Sequence, residues 1–154
     1  MPADKCQLTE LTYEELLDIE QTAPRVVRLT KTPKDMGIGL EGCRTVKDVY
    51  DKAEEYLEEG KDCGIEIRVI ANRLVLVELE QMARLLMEKI LSLHGEDERK
   101  ARKVMVAVLD YQTKLKRQIE VDTEKVNEKS RKGNGYLLFK NLTDEEIEYF
   151  WNGE

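Results

Sequence analysis

At 154 residues the chain has room for one domain with a small appendage, and 41% hydrophobic residues suffice for a core. With 37% charged residues, 6% aromatics, three prolines and nine glycines, the composition favours long helices over a turn-dense sandwich or barrel. No run of about 18 apolar residues is present to span a membrane, and Met1-Pro2-Ala3-Asp4-Lys5 lacks the pattern of a secretory leader.

Three cysteines without a CxxC argue against a disulfide framework or a zinc ribbon, so a reducing, cytoplasmic setting is expected. The net charge of −7 is unevenly spread. Residues 1–64 carry 9 basic and 15 acidic side chains, and residues 65–97 carry 4 and 6. Residues 98–133 reverse the balance with 11 and 6, and residues 134–154 return to 1 and 5. A basic middle between acidic ends meets either an anionic partner or the chain's own acidic segments, the second being the commoner use of mixed-charge helices.

The first third, residues 1–64, reads as a helical adaptor. Thr12-Tyr13-Glu14-Glu15 is a capping box that opens a short helix to about Glu20, with Pro24 expected to end it. Val26, Val27 and Leu29 suit a short extended piece, and Pro33, Gly37, Gly39 and Gly42 keep residues 30–43 irregular. Thr45 with Asp48 is a second cap. Behind it Val46, Val49, Tyr50, Ala53 and Leu57 share one helical face, and Gly60 supplies the stop.

The central segment, residues 65–129, gives the strongest pattern. Ile65, Ile67 and Val69 alternate with polar residues as a strand would, but the unbroken continuation to Leu93 favours helix. Val75, Leu79, Met82, Leu86 and Leu93 follow a seam of about 3.5 residues per turn. The polar stripe Arg73, Glu80, Arg84 and Glu88 is narrow, so this helix must be covered on most sides.

His94-Gly95-Glu96-Asp97 breaks the pattern, and a second helix of about 48 Å is expected from Glu98 to Lys129. Ala101, Met105, Val108, Gln112, Leu115, Ile119, Asp122 and Val126 form its heptad seam. Gln112 suits a register-fixing polar seam residue, and Asp122 is expected where the seam opens to water. The fold class is therefore all-α: a long antiparallel, coiled-coil-like hairpin with short N-terminal helices and a small C-terminal segment. Apolar surface outside the seams, from Leu74, Leu76, Val77, Leu85, Met87, Ile90 and Leu91 on the first helix and Val104, Val106, Ala107 and Leu109 on the second, exceeds what a hairpin hides. Either the N-terminal helices fold back over it or neighbouring copies do, and self-association is expected to carry much of the burial, through Val75, Leu79, Met82, Leu86, Met105, Val108, Gln112, Leu115 and Ile119.

Residues 130–154 read as a Gly-rich basic hinge followed by a docking segment. Tyr136-Leu137-Leu138-Phe139 suits a strand or extended anchor, and Thr143-Asp144-Glu145-Glu146 is a third capping box. Ile147, Phe150 and Trp151 make an aromatic face within an acidic rim, the composition of a partner-docking hot spot.

Motifs for chemistry are incomplete, and a non-catalytic protein without cofactor or metal is expected. Gly37-Ile38-Gly39-Leu40-Glu41-Gly42 spells a dinucleotide loop but lacks the preceding strand and following helix that would present N–H groups to a pyrophosphate. Glu54, Glu55 and Glu58, with Glu78 beyond, resemble part of the all-α nucleotide pyrophosphohydrolase pattern, EExxE then ExxD. Gln81 stands where the final Asp belongs, which removes an anionic ligand from a magnesium site. His94 is the only histidine, so a His-based metal cluster or a Ser–His triad cannot be assembled, and its place at a helix end suits a cap. Cys6, Cys43 and Cys63 read as structural thiols. The candidate nucleic-acid contacts are Arg99, Lys103, Lys114, Arg117, Lys129, Arg131 and Lys132, which would give salt-sensitive, sequence-tolerant binding to double-stranded DNA.

The order of small leading region, paired long helices, basic flank and acidic aromatic tail resembles the viral terminase small subunits of tailed phages that have a central coiled-coil hairpin. The likeness covers roughly residues 68–129 and centres on Ala83–Ile119. It is one of architecture, and the N-terminal helix-turn-helix that many members carry is missing. It implies a ring-forming, non-catalytic protein of the host cytoplasm that engages viral DNA and regulates a larger motor. The alternatives are a helical adaptor or assembly chaperone holding a client protein without DNA and, third, a magnesium-dependent pyrophosphohydrolase.

Overall fold

The structure, a computed structural model, describes residues 6–29 and 42–131, with side chains to residue 128. A 3-10 turn at Gln7–Glu10 leads into α1 (Tyr13–Leu17), α2 (Ile19–Val26), α3 (Val46–Glu58), α4 (Cys63–Ile90) and α5 (Gly95–Arg131). The fold is all-α, and α4 and α5 pack against each other as an antiparallel hairpin.

Local sequence sets the helix starts. The side chain of Thr12 accepts from the N–H of Glu15 while Glu15 bonds back to Thr12, and Thr45 with Asp48 repeats the device. Two orphan N–H groups are thereby satisfied at each start. The N–H groups of Arg44 and Thr45 hold the Asp48 carboxyl below its ordinary range. Gly60, at φ 78°, takes the left-handed conformation that closes α3.

Four expectations about helix limits are corrected. The first helix breaks at Asp18 (φ −106°, ψ 41°) into α1 and α2. Pro24 lies inside α2 rather than ending it: it forgoes one hydrogen bond, and the helix closes three residues later with Val27 N–H on the Ala23 carbonyl. The helix favoured for residues 65–70 forms, but α4 begins two residues earlier than expected and stops at Ile90 rather than Leu93. α5 starts at Gly95, at φ 65°. Of the extended piece only a single antiparallel bridge forms, between Arg28 and Thr45. The GxGxxG match lies outside the described residues apart from Gly42, as does the segment beyond Arg131.

The larger correction concerns what covers the hairpin. The seam residues Val75, Leu79, Met82, Leu86, Met105, Val108, Gln112 and Leu115 are buried against one another within one chain, and Ile119 is half-buried. Leu8, Leu16, Ile19, Ala23, Val27, Val46, Val49 and Ala53 join them in a single continuous core. The N-terminal helices therefore do the covering that had been assigned to neighbouring copies, and the 64/65 division runs through the middle of a shared core.

Two polar seam residues are tied down. Gln112 donates to the Leu79 carbonyl at 3.2 Å, which fixes the register of α5 on α4. Asp122 does not open to water: it is 0% exposed and grips Arg68 through two bonds, 2.9 Å from Nε and 2.8 Å from Nη2, with Gln118 adding a third at 3.0 Å. Burial of a carboxylate is tolerated here because a guanidinium fork matches both its oxygens. The Arg68 charge is further favoured by that bond.

Candidate interaction surfaces

The closed end of the hairpin carries an exposed apolar patch. Lys116 lies 3.9 Å from Glu80, which places these flanks of α5 and α4 side by side. Seven residues are two turns in each helix, so Met87 and Leu109 repeat that relation further towards the turn. Leu91 and Val106 follow one turn beyond. Their exposures are 60% for Met87, 83% for Leu91, 59% for Val106 and 45% for Leu109. Large apolar groups this open, grouped on α5 and the C-terminal end of α4, are the kind of surface that marks interaction sites. The sequence had marked all four as apolar excess beside the seams. It had not told which of the apolar residues beside the seams the chain's own N-terminal helices would leave open.

The basic flank is distributed along the outer side of α5. Arg99 pairs with Glu96 at 3.1 Å and Lys114 with Glu20 of α2 at 2.7 Å, so both meet the chain's own acids. Lys103 and Arg117 are exposed, fourteen residues or about 21 Å apart along one side of the helix. The side chains of Lys129 and Arg131, and all of Lys132, Ile147, Phe150 and Trp151, lie outside the described residues.

The acidic motif is split by the fold. Glu54 and Glu58 rim a groove of about 510 Å³ between α3 and α4, with Tyr50, Ala53, Leu57 and Arg68 as its other walls. Glu78 is ten residues further along α4, some 15 Å away. There its carboxylate accepts the N–H of Gln7 at 2.6 Å, and its carbonyl accepts the Cys6 thiol at 3.4 Å. Among the described residues no three His, Cys, Asp or Glu side chains converge to hold a metal ion. The carboxylates of the partial pyrophosphohydrolase pattern are thus not brought together, and Glu78 anchors the N-terminal segment.

That anchor sets two titrations. Burial, then the nearby Glu78 charge, pushes the Cys6 thiol up to about 12, so it stays protonated and unreactive at neutral pH. Burial also raises the Glu78 carboxyl above its ordinary 4.5, with the Gln7 N–H pulling the other way. A raised acid adds stability that is fully present below its unfolded value and is lost as pH rises through its folded value. Stability measured by denaturant at about pH 5 and about pH 7 should therefore differ less in Glu78→Gln than in the parent. An unchanged pH dependence would show that Glu78 is not responsible for it.

Among the described residues no helix is long and apolar enough to cross a membrane. No family model, characterised protein or solved structure matches the chain.

Proposed function

We propose that the protein is a non-catalytic helical assembly protein that associates with further copies of itself through the closed end of its hairpin. The observation that carries this reading is the patch of Met87, Leu91, Val106 and Leu109, open on two adjacent helices. The terminase-like order of its segments extends the reading to a viral packaging role: an oligomer that engages double-stranded DNA and regulates a larger motor. In that role Lys103 and Arg117, on the outer side of α5, are the described cations best placed to meet phosphates, without reading bases. An adaptor or chaperone would use the same patch to hold a client.

Light scattering at micromolar concentration should give a mass above that of one chain. Met87→Glu with Leu109→Glu should reduce it to one chain while leaving helicity and melting nearly unchanged, because both side chains are already exposed. A monomeric parent protein would overturn the self-assembly reading. DNA retention should fall steeply with salt and weaken in Lys103→Glu with Arg117→Glu. An oligomer without salt-sensitive retention would favour the adaptor.

A further inference from the structure

The open end of the hairpin, where α4 begins and α5 departs, carries two surfaces of opposite charge. The first is the groove between α3 and α4, about 510 Å³ in volume. On its α3 wall Ala53 stands between Tyr50 and Leu57 on one helical face, so a small side chain between two large ones makes a hollow. Glu54 and Glu58 follow the same wall one turn apart. Their neighbours Asp51 and Glu55 pair with Lys47 and Lys52, whereas Glu54 and Glu58 have no partner among the described residues. Arg68 opposes them little, because its charge is already met by Asp122.

The second surface is a stripe on α5. Arg117, Val121 and Lys125 are spaced four residues apart and so share a face. All three are exposed, Val121 to 45%. Lys114 and Lys116 are held by Glu20 and Glu80, but Arg117 and Lys125 have no partner among the described residues. Stripe and groove are neighbours in the fold, since Val121 precedes the Asp122 that grips Arg68 of the groove wall. The stripe does not enter the groove of its own chain, for Val121 stays open.

We propose that the groove receives the Arg117-Val121-Lys125 stripe of a second copy. Tyr50 to Glu58 and Arg117 to Lys125 each advance eight residues, about 12 Å, so the two helices match in length when laid side by side. Val121 then fills the hollow over Ala53. The aliphatic stems of Arg117 and Lys125 lie along Tyr50 and Leu57 and bring their charged heads to Glu54 and Glu58. Because both surfaces lie at the same end of each molecule, a two-fold axis lets each copy serve the other, and the contact is made twice. Arg117 so engaged is withdrawn from phosphates, which leaves Lys103 for that task. A contact this small and this charged is weak, forming at about 0.1–1 mM and low salt. Dimers made at the closed end would extend into larger assemblies through the open end. That extension rests on the closed-end reading, whereas the groove contact stands without it.

Sedimentation equilibrium on the full chain carrying Met87→Glu and Leu109→Glu tests the groove contact alone. At about 0.5 mM and low salt the mass should rise above one chain, and it should return to one chain at about 0.5 M salt. Adding Glu54→Lys with Glu58→Lys, or Arg117→Glu with Lys125→Glu, should weaken association about tenfold or more. Helicity should not change, since all four side chains are exposed. Mixing the two charge-reversed proteins should restore association, because each groove then meets a stripe of opposite sign. Association that survives either reversal, or a mixture that stays monomeric, would overturn the proposal. Monomers at every concentration would do the same, and would give the groove to a basic helix of another protein.

Discussion

Replacing Arg68 by alanine should destabilise the protein more than replacing its partner Asp122. The two halves of this ion pair are unequally buried: the Arg68 side chain keeps 31% of its surface in water, while that of Asp122 keeps none. Without Arg68, a carboxylate is left in the core with Gln118 still donating to it but no cation beside it, a loss of about 3–5 kcal/mol. Without Asp122, the guanidinium can turn out into the groove beside Glu54 and Glu58, and the cost is closer to about 1.5–3 kcal/mol for the lost charge-assisted bonds. Arg68→Met with Asp122→Leu should recover most of the loss, since an apolar pair of similar volume needs no partners. Urea denaturation of the three variants checks the order. Equal losses from the two single substitutions would show that the burial of Asp122 is not what sets the cost.

Gly64→Ala should be destabilising although alanine is the better helix former. In an ordinary helix position the exchange gains up to about 1 kcal/mol. Here α3 and α4 approach so closely that a Cβ on residue 64 would stand 2.6 Å from the Ala53 carbonyl oxygen and 2.7 Å from Leu57 Cγ. A side-chain carbon can move aside, but a backbone carbonyl inside a helix cannot without moving the helix. The expected loss is about 1–3 kcal/mol or more, of the kind seen when a packed interior is overfilled. Adding Leu57→Ala should relieve only the side-chain part of the clash. A melting temperature equal to or above the parent's would mean that α3 rides more loosely on α4 than the distances imply.

The helix starts, the hairpin and its seam were legible because each rests on local pattern: a cap three residues from its acid, or a heptad step held for many turns. Asp122 was misread because a carboxylate at a seam position looks alike whether it opens to water or grips a cation. Its partner is 54 residues away, and no spacing rule links them. Gly64 was passed over for a similar reason. A glycine at the start of a helix reads as a boundary, and only the approach of α3 makes it a contact. α1 and α2 were underrated as cover because each is short, with apolar positions too sparse to declare a face alone; they bury Leu16, Ile19 and Ala23 where α5 lies beside them. The surface patch was half legible. Met87, Leu91, Val106 and Leu109 stood out as apolar excess, but sequence could not tell which part of that excess the chain would hide from water by itself.

The single bridge between Arg28 and Thr45 carries its hydrogen bonds through the neighbouring residues, Leu29 to Arg44 and Val46 to Val27. The N–H and C=O of Arg28 therefore point outwards, away from Thr45. Both are taken by one side chain: Arg28 N–H donates to Gln7 Oε1 at 2.7 Å, and Gln7 Nε2 donates to the Arg28 carbonyl at 3.2 Å. A primary amide has the donor and acceptor spacing of a peptide group, so Gln7 stands in for the next strand at this edge. An open backbone edge invites a strand from another molecule, and a pairing of that kind would compete with any ordered contact. Gln7 withdraws that invitation at Arg28, because both backbone groups are already taken.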